Sequence, residues 1–105
     1  MQQKKLLLLL VGFLALASSG CQSLQARDNL NKGVRAFNES NYQAAVDYFL
    51  VALELDPELV QAELYLATAY SQQFVPGALS EQNRQMAQLA ISTFESVLER
   101  NPAET

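Results

Sequence analysis

The hydrophobic residues of this 105-residue chain follow two different patterns. Residues 6–17 form an apolar run that a single glycine interrupts. From residue 23 onward, apolar positions recur every three or four residues, which is the spacing of one face of an α-helix. We therefore predict a short apolar leader followed by a domain of the all-α class.

The helical part of the chain divides into four predicted helices. The first runs from about residue 23 to residue 38, and Asn41 is expected to cap the second. Asp56 is the expected N-cap of the third, with Pro57 at the first helical position, where a missing amide costs no hydrogen bond. Ser80 is expected to cap a long fourth helix. The side chains predicted to face the core are Leu30, Val34, Phe37, Ala45, Val46, Phe49, Ala52, Leu53, Leu59, Ala62, Leu66, Ala69, Tyr70, Met86, Leu89, Ala90, Thr93, Phe94, Val97 and Leu98.

The linker before the fourth helix, residues 74–79, is unusual because it is apolar where helix linkers are normally polar. It also contains Pro76 and Gly77, which break the helical pattern. Its apolar side chains either fold back onto the helices or offer a contact surface.

The second and fourth predicted helices repeat one another at an offset of 45 residues. Residues 45–57 align without gaps to residues 90–102, with identical Ala, Phe, Leu, Glu and Pro positions. In both copies Phe follows Ala by four residues, which places the two on one helical face, and the Pro ends the helix. The chain therefore contains an internal repeat.

The segments upstream of these copies also correspond. Lys32-Gly33-Val34-Arg35-Ala36-Phe37 precedes the first copy, and Leu66-Ala67-Thr68-Ala69-Tyr70 precedes the second. With these motifs the chain resembles the tetratricopeptide repeat (TPR) family, whose unit is a helix-turn-helix of 34 residues. The resemblance implies a short α-solenoid of two hairpins, at about residues 24–57 and 58–102, with Gly33 and Ala67 where the paired helices cross. The 45-residue offset further implies an 11-residue insertion in the second repeat.

The leader has the layout of a signal peptide. Lys4 and Lys5 precede the apolar run, and small residues lead up to Cys21. Twelve residues span about 18 Å as a helix, less than the roughly 30 Å of a hydrocarbon core, which disfavours a permanent transmembrane helix. The alternatives are an ordinary leader beside an incidental cysteine and a lipoprotein signal that ends at the cysteine.

The segment around Cys21 resembles a bacterial lipobox. The resemblance implies that residues 1–20 are removed and that Cys21, the first residue of the domain at 21–105, carries acyl chains such as palmitate. Gln22 rather than Asp after the cysteine is similar to lipoproteins sent to the outer membrane of a Gram-negative cell. In other envelopes the expected place is the outer face of the plasma membrane.

Composition and charge limit the chemistry. The chain has 7 basic and 11 acidic residues and a net charge of −4, with no basic cluster in the helical part, so nucleic acid is not an expected partner. It has no His and one Cys, which excludes an internal disulfide, an imidazole base and the usual zinc ligand sets. We therefore expect no metal, no cofactor and no enzymatic activity, although a carboxylate-based envelope hydrolase remains an alternative.

The two resemblances together imply a function. They imply a membrane-anchored envelope lipoprotein that acts as a protein–protein interaction or assembly-scaffold module, with a partner segment bound on the concave face of the first helices. Tyr42, Tyr48, Tyr65 and Tyr70 either line this groove or belong to the core. Helical phase predicts partner contacts at Asn31, Arg35, Asn38, Thr68 and Gln72.

The alternative function is a self-associating structural lipoprotein that has no peptide ligand. Two repeats are fewer than the three that normally bury a continuous core. The outer face of the last helix is therefore expected to need a covering surface, from either a homodimer or a partner.

Overall fold

The structure, a computed structural model, describes residues 2–100, with side chains from residue 20 onward. Within this range the chain forms four α-helices: α1 (Gln2–Asn38), α2 (Tyr42–Leu55), α3 (Val60–Gln73) and α4 (Glu81–Arg100). The all-α prediction is confirmed. Each helix packs against the next along the chain, and α1 also touches α3. The side chains of the predicted leader and Pro102, the predicted end of the second repeat, lie outside the described residues.

The core lies where α1, α2 and α3 meet, and Phe49 of α2 is its largest fully buried side chain. Its close approach to α1 depends on Gly33, because a Cβ at that position would lie 2.6 Å from Cδ1 of the Phe49 ring. The predicted role of Gly33 at a helix crossing is confirmed at this contact. The buried core residues are Leu30, Ala36, Ala45, Val46, Phe49, Ala52, Ala62, Leu66, Ala69, Tyr70 and Ala90.

Two of the predicted helix caps are confirmed. The side chain of Asn41 accepts a hydrogen bond from the backbone N–H of Ala44 at the start of α2. Ser80 likewise accepts one from the backbone N–H of Asn83, 3.1 Å away, at the start of α4. Both side chains satisfy an amide that the first turn of a helix leaves without a partner.

The predicted start of α3 is wrong. Asp56 is the C-cap residue of α2 rather than an N-cap, and α3 begins at Val60 after Leu59, which provides no side-chain cap. The Asp56 carboxylate instead accepts a hydrogen bond from the backbone N–H of Glu58, 3.2 Å away, and so closes a turn around Pro57. An aspartate before proline suits both arrangements, and here the local turn is the one that forms.

The predicted start of the first helix also differs from the structure. The helix was expected to begin near residue 23, whereas α1 continues without a break from Gln2. Residues 18–23 contain no proline, and the single Gly20 costs a helix about 1 kcal/mol, which the surrounding turns can absorb. The end of α1 at Asn38 agrees with the prediction.

The inward stripe of α4 is narrower than predicted. Leu89, Phe94 and Leu98 are exposed, whereas Ala90 and Val97 are buried as predicted. The stripe that faces α3 is spaced alternately by three and four residues and consists of Asn83, Met86, Ala90, Thr93 and Val97. The broader stripe requires helices on two sides of α4, but in the described part of the chain α3 alone packs against it.

Candidate functional site

The candidate site is a shallow groove between α1 and α3. Phe37 of α1 and Leu64, Tyr65 and Thr68 of α3 line a cleft of about 210 Å³. None of these four side chains carries a charge, and Leu64 is 41% exposed at the surface of the groove. A groove of this kind suits an apolar side chain presented by another polypeptide.

Aromatic contacts hold the floor of the groove in place. The Tyr65 ring stacks on Phe49 with ring centroids 5.6 Å apart and meets Phe37 edge to face at 5.9 Å. Phe37 in turn meets Tyr42 edge to face at 5.3 Å. These offset and T-shaped arrangements are the favourable ones for aromatic pairs. The floor of the groove therefore rests on the core, because Tyr65 stacks on the Phe49 ring that packs against Gly33.

Thr68 is the predicted contact residue that lines this groove. Its hydroxyl donates a hydrogen bond to the Leu64 carbonyl, 2.8 Å away, so its methyl group is free to contact a ligand. Asn31, Asn38 and Gln72 are exposed on the same two helices. Sequence reasoning left Phe37 and Leu64 out of the site, although the three- and four-residue spacing of Leu64, Tyr65 and Thr68 was the available signal.

The structure does not bring Arg35 into the groove, and its contact with a partner stays a prediction. Arg35 lies with Lys32 and Glu39 in a separate cleft of about 220 Å³ between α1 and α2. Arg35 precedes Phe37 by two residues, and two residues turn a helix by about 200°. The two side chains therefore point to opposite sides of α1. Tyr48 lines the same second cleft, away from the groove.

Tyr70 belongs to the core rather than to the groove. It is buried, and this burial raises the pKa of its phenol, with the negative charge of Asp47 adding to the rise. Both effects favour the neutral form of the side chain. Tyr65 is therefore the tyrosine, among the four considered, that lines the groove between α1 and α3.

The apolar linker before α4 is held in place by one buried side chain. Asn83 accepts a hydrogen bond from the backbone N–H of Val75 and donates to the carbonyls of Val75 and Ala78, at 2.7 to 2.9 Å. This clamp leaves Leu79 91% exposed and Val75 more than half exposed. Val75 and Leu79 are therefore not folded back onto the helices, and a contact surface at this linker stays a prediction.

A second apolar cleft, of about 310 Å³, lies between the end of α3 and the middle of α4. Ser71, Phe74, Ala87, Ala90 and Ile91 line it. Helical spacing places the exposed side chains of Phe94 and Leu98 on the same face of α4 as Ala87 and Ile91. This surface and the α1–α3 groove are the apolar clefts from which a partner site can be chosen.

Cys21 is exposed and unpaired. In the part of the chain described with side chains, no three acidic or cysteine residues form a group suited to a metal ion. The same part of the chain contains no helix that is both long and apolar enough to cross a membrane. Comparison with protein-family models, curated proteins and solved structures gives no match for this chain.

Proposed function

We propose that this chain is a lipid-anchored protein of a bacterial cell envelope whose two TPR-type hairpins act as a protein–protein interaction or assembly-scaffold module. The observation that carries the proposal is the uncharged groove between α1 and α3, with Tyr65 at its floor. In a stack of TPR hairpins, the first helices line the concave face. Under this proposal those helices are α1 and α3.

The ligand class follows from the groove. An extended or helical segment of a partner places an apolar side chain against Phe37 and Leu64, where burial contributes about 25 cal/mol per Å² of apolar area. Asn31, Asn38 and Gln72 are exposed on the two helices that form the groove and are the proposed polar contacts of the partner. Thr68 contributes its methyl group.

The membrane anchor is proposed at Cys21. Between Cys21 and Phe37 an α-helix rises about 24 Å, so the groove is displayed away from the point of acylation. Two or more acyl chains on Cys21 give stable attachment, since each buried CH₂ contributes about 0.8 kcal/mol. Gln22 after the cysteine favours the outer membrane if the envelope is Gram-negative, and in other envelopes the proposed place is the outer face of the plasma membrane.

The groove is tested by site-specific photo-crosslinking in intact cells. A photo-reactive residue at Leu64 is compared with one at Leu50, which is on α2 and similarly exposed at 44%. We expect an adduct with another protein at Leu64 alone, which Thr68→Arg abolishes by filling the groove. Adducts only with other copies of the chain support the structural alternative, and equal adducts at both positions contradict a groove ligand.

The anchor is tested separately with Cys21→Ser. We expect acyl mass on the wild-type chain, its loss in the variant, and release of the variant from the membrane fraction on detergent partitioning. If both proteins partition alike and neither carries acyl mass, the lipid anchor is wrong. If the Leu64 adduct still forms in that case, the groove is a binding site although the chain has no lipid anchor.

A further inference from the structure

The internal repeat exposes a difference in how α2 and α4 are covered. Val46, Phe49 and Leu53 of α2 belong to the core or pack against it, together with Ala62, Leu66 and Ala69 of α3. Forty-five residues later, Ile91, Phe94 and Leu98 are 58%, 37% and 48% exposed. The face of α4 that corresponds to the α3-covered face of α2 therefore lacks a cover in the described structure. This observation does not depend on the proposed function.

A second copy stacked head to tail does not fit this face. The positions of α1 that correspond to Ala62, Leu66 and Ala69, 34 residues earlier, are Asp28, Lys32 and Arg35. Asp28 and Lys32 form an exposed ion pair with 3.1 Å between the carboxylate oxygen and Nζ. Pressing these charges onto Ile91 and Phe94 buries them without compensation. The polar face of α1 therefore blocks an open-ended filament of the chain.

The exposed face of α4 is complementary to itself in size. Its residues follow the helical spacing of four, three and four, and they are Ala87, Ile91, Phe94 and Leu98. When two such stripes run antiparallel, Ala87 lies opposite Leu98 and Ile91 opposite Phe94. A small residue then faces a large one at each end, and the cleft beside Phe74 and Ala87 receives Leu98 of the other copy. Such alternation of size lets two helices interdigitate.

The charges at the two ends of the stripe favour the same antiparallel direction. Arg84 lies three residues before the stripe, and Glu99 lies one residue after it. Antiparallel pairing brings Arg84 near Glu99 of the second copy, whereas parallel pairing brings like charges together. A pairing of this kind is closed and two-fold symmetric, because each copy uses the same surface.

We propose that α4 pairs with α4 of a second copy in an antiparallel, two-fold symmetric dimer. The stripe from Ala87 to Leu98 is its interface. The dimer leaves the α1–α3 groove open, because the groove is lined by residues of α1 and α3 outside the stripe. The loss of either surface can therefore be measured without loss of the other.

The test is disulfide crosslinking of the full chain in its membrane. Chains with Ala87→Cys are mixed, by co-expression with different tags, with chains carrying Leu98→Cys, and wild type gives the background from Cys21. Antiparallel pairing predicts crosslinked dimers between the two variants and none above background in either variant alone. In an antiparallel pair, residue 87 of one copy lies opposite residue 98 of the other. The two copies of residue 87 are then about 16 Å apart along the helices, and so are the two copies of residue 98.

Charge reversal provides an independent readout. Arg84→Glu is expected to reduce the 87–98 crosslink, and Arg84→Glu combined with Glu99→Arg is expected to restore it. Self-crosslinking of either single variant overturns the antiparallel direction. Absence of the mixed crosslink, with both thiols reactive towards a soluble alkylating reagent, overturns the dimer, and so does its replacement by crosslinks to a different protein.

Discussion

At the scale of single residues, the ion pair between Glu63 and Arg100 joins the start of α3 to the end of α4. Glu63 is 9% exposed, and Arg100 also donates a hydrogen bond to the Pro57 carbonyl, 3.2 Å away. Arg100→Ala leaves a buried carboxylate unpaired, and we expect it to lower the free energy of unfolding by about 1–3 kcal/mol, because the arginine itself is partly exposed.

The matched control for this prediction is Arg84→Ala, which breaks the exposed ion pair of Arg84 with Glu81. Exposed pairs of this kind contribute about 0–1 kcal/mol, so little change is expected. Urea denaturation followed by circular dichroism measures both variants at a protein concentration low enough to keep the chain monomeric. Equal losses in the free energy of unfolding would contradict the prediction that the burial of Glu63 makes its ion pair more stabilising than the exposed one.

Residue identity predicted the two caps that depend on local geometry alone. Asn41 and Ser80 precede helices whose first turns present free amides, and the structure places both side chains on such amides. Asp56 failed as a prediction because the hydrogen bond that its carboxylate accepts from the Glu58 N–H closes a local turn, and α3 begins only after it, at Val60. Glu63 was missed because its partner is 37 residues away, at a distance in the chain where no local pattern operates.

At the scale of elements, Asn83 decides the shape of the linker between α3 and α4. Its side chain makes three hydrogen bonds to the backbone of Val75 and Ala78. Asn83→Ala removes all three, and we expect a loss of about 1–3 kcal/mol in the free energy of unfolding. We also expect faster hydrogen exchange at the Val75 amide and new protease cleavage within residues 74–80.

The control for the linker prediction is Gln82→Ala, its exposed neighbour in sequence. This substitution leaves the clamp intact, so hydrogen exchange at Val75 should stay as in the wild type. Unchanged exchange at Val75 in Asn83→Ala would show that the linker keeps its shape without the clamp. The loss of stability then has another origin.

The helices themselves were easier to predict than the faces they bury. The three- and four-residue periodicity is a property of the chain, and it located α2 and the end of α1 within a residue. Which apolar residues of α4 are buried depends instead on how many helices surround it. Phe94 repeats Phe49 in sequence and yet remains partly exposed, because α3 covers α2 and no described helix takes that place on α4.

At the scale of the whole molecule, the candidate groove was predictable only in part. The helix pair that forms it follows from the order of the helices, and Thr68 follows from helical phase. Arg35 lies outside the groove because it precedes Phe37 by two residues, and two residues turn a helix by about 200°. The floor of the groove depends on the Tyr65 ring, which contacts both Phe49 of α2 and Phe37 of α1, so that three helices meet there.

The two repeated phenylalanines give a prediction about the assembly as a whole. Phe49→Ala empties a fully buried site where three helices meet, and we expect a loss of about 3–5 kcal/mol at every protein concentration. Phe94→Ala removes a side chain that is 37% exposed in one copy and buried in the proposed dimer. The loss in the free energy of unfolding should therefore be smaller in dilute protein and should grow with concentration, because dimer formation stabilises the wild-type chain by mass action.

Denaturation of both variants over a range of protein concentrations measures this difference. A Phe94→Ala cost that does not change with concentration would contradict the α4 interface, while Phe49→Ala reports on the core alone.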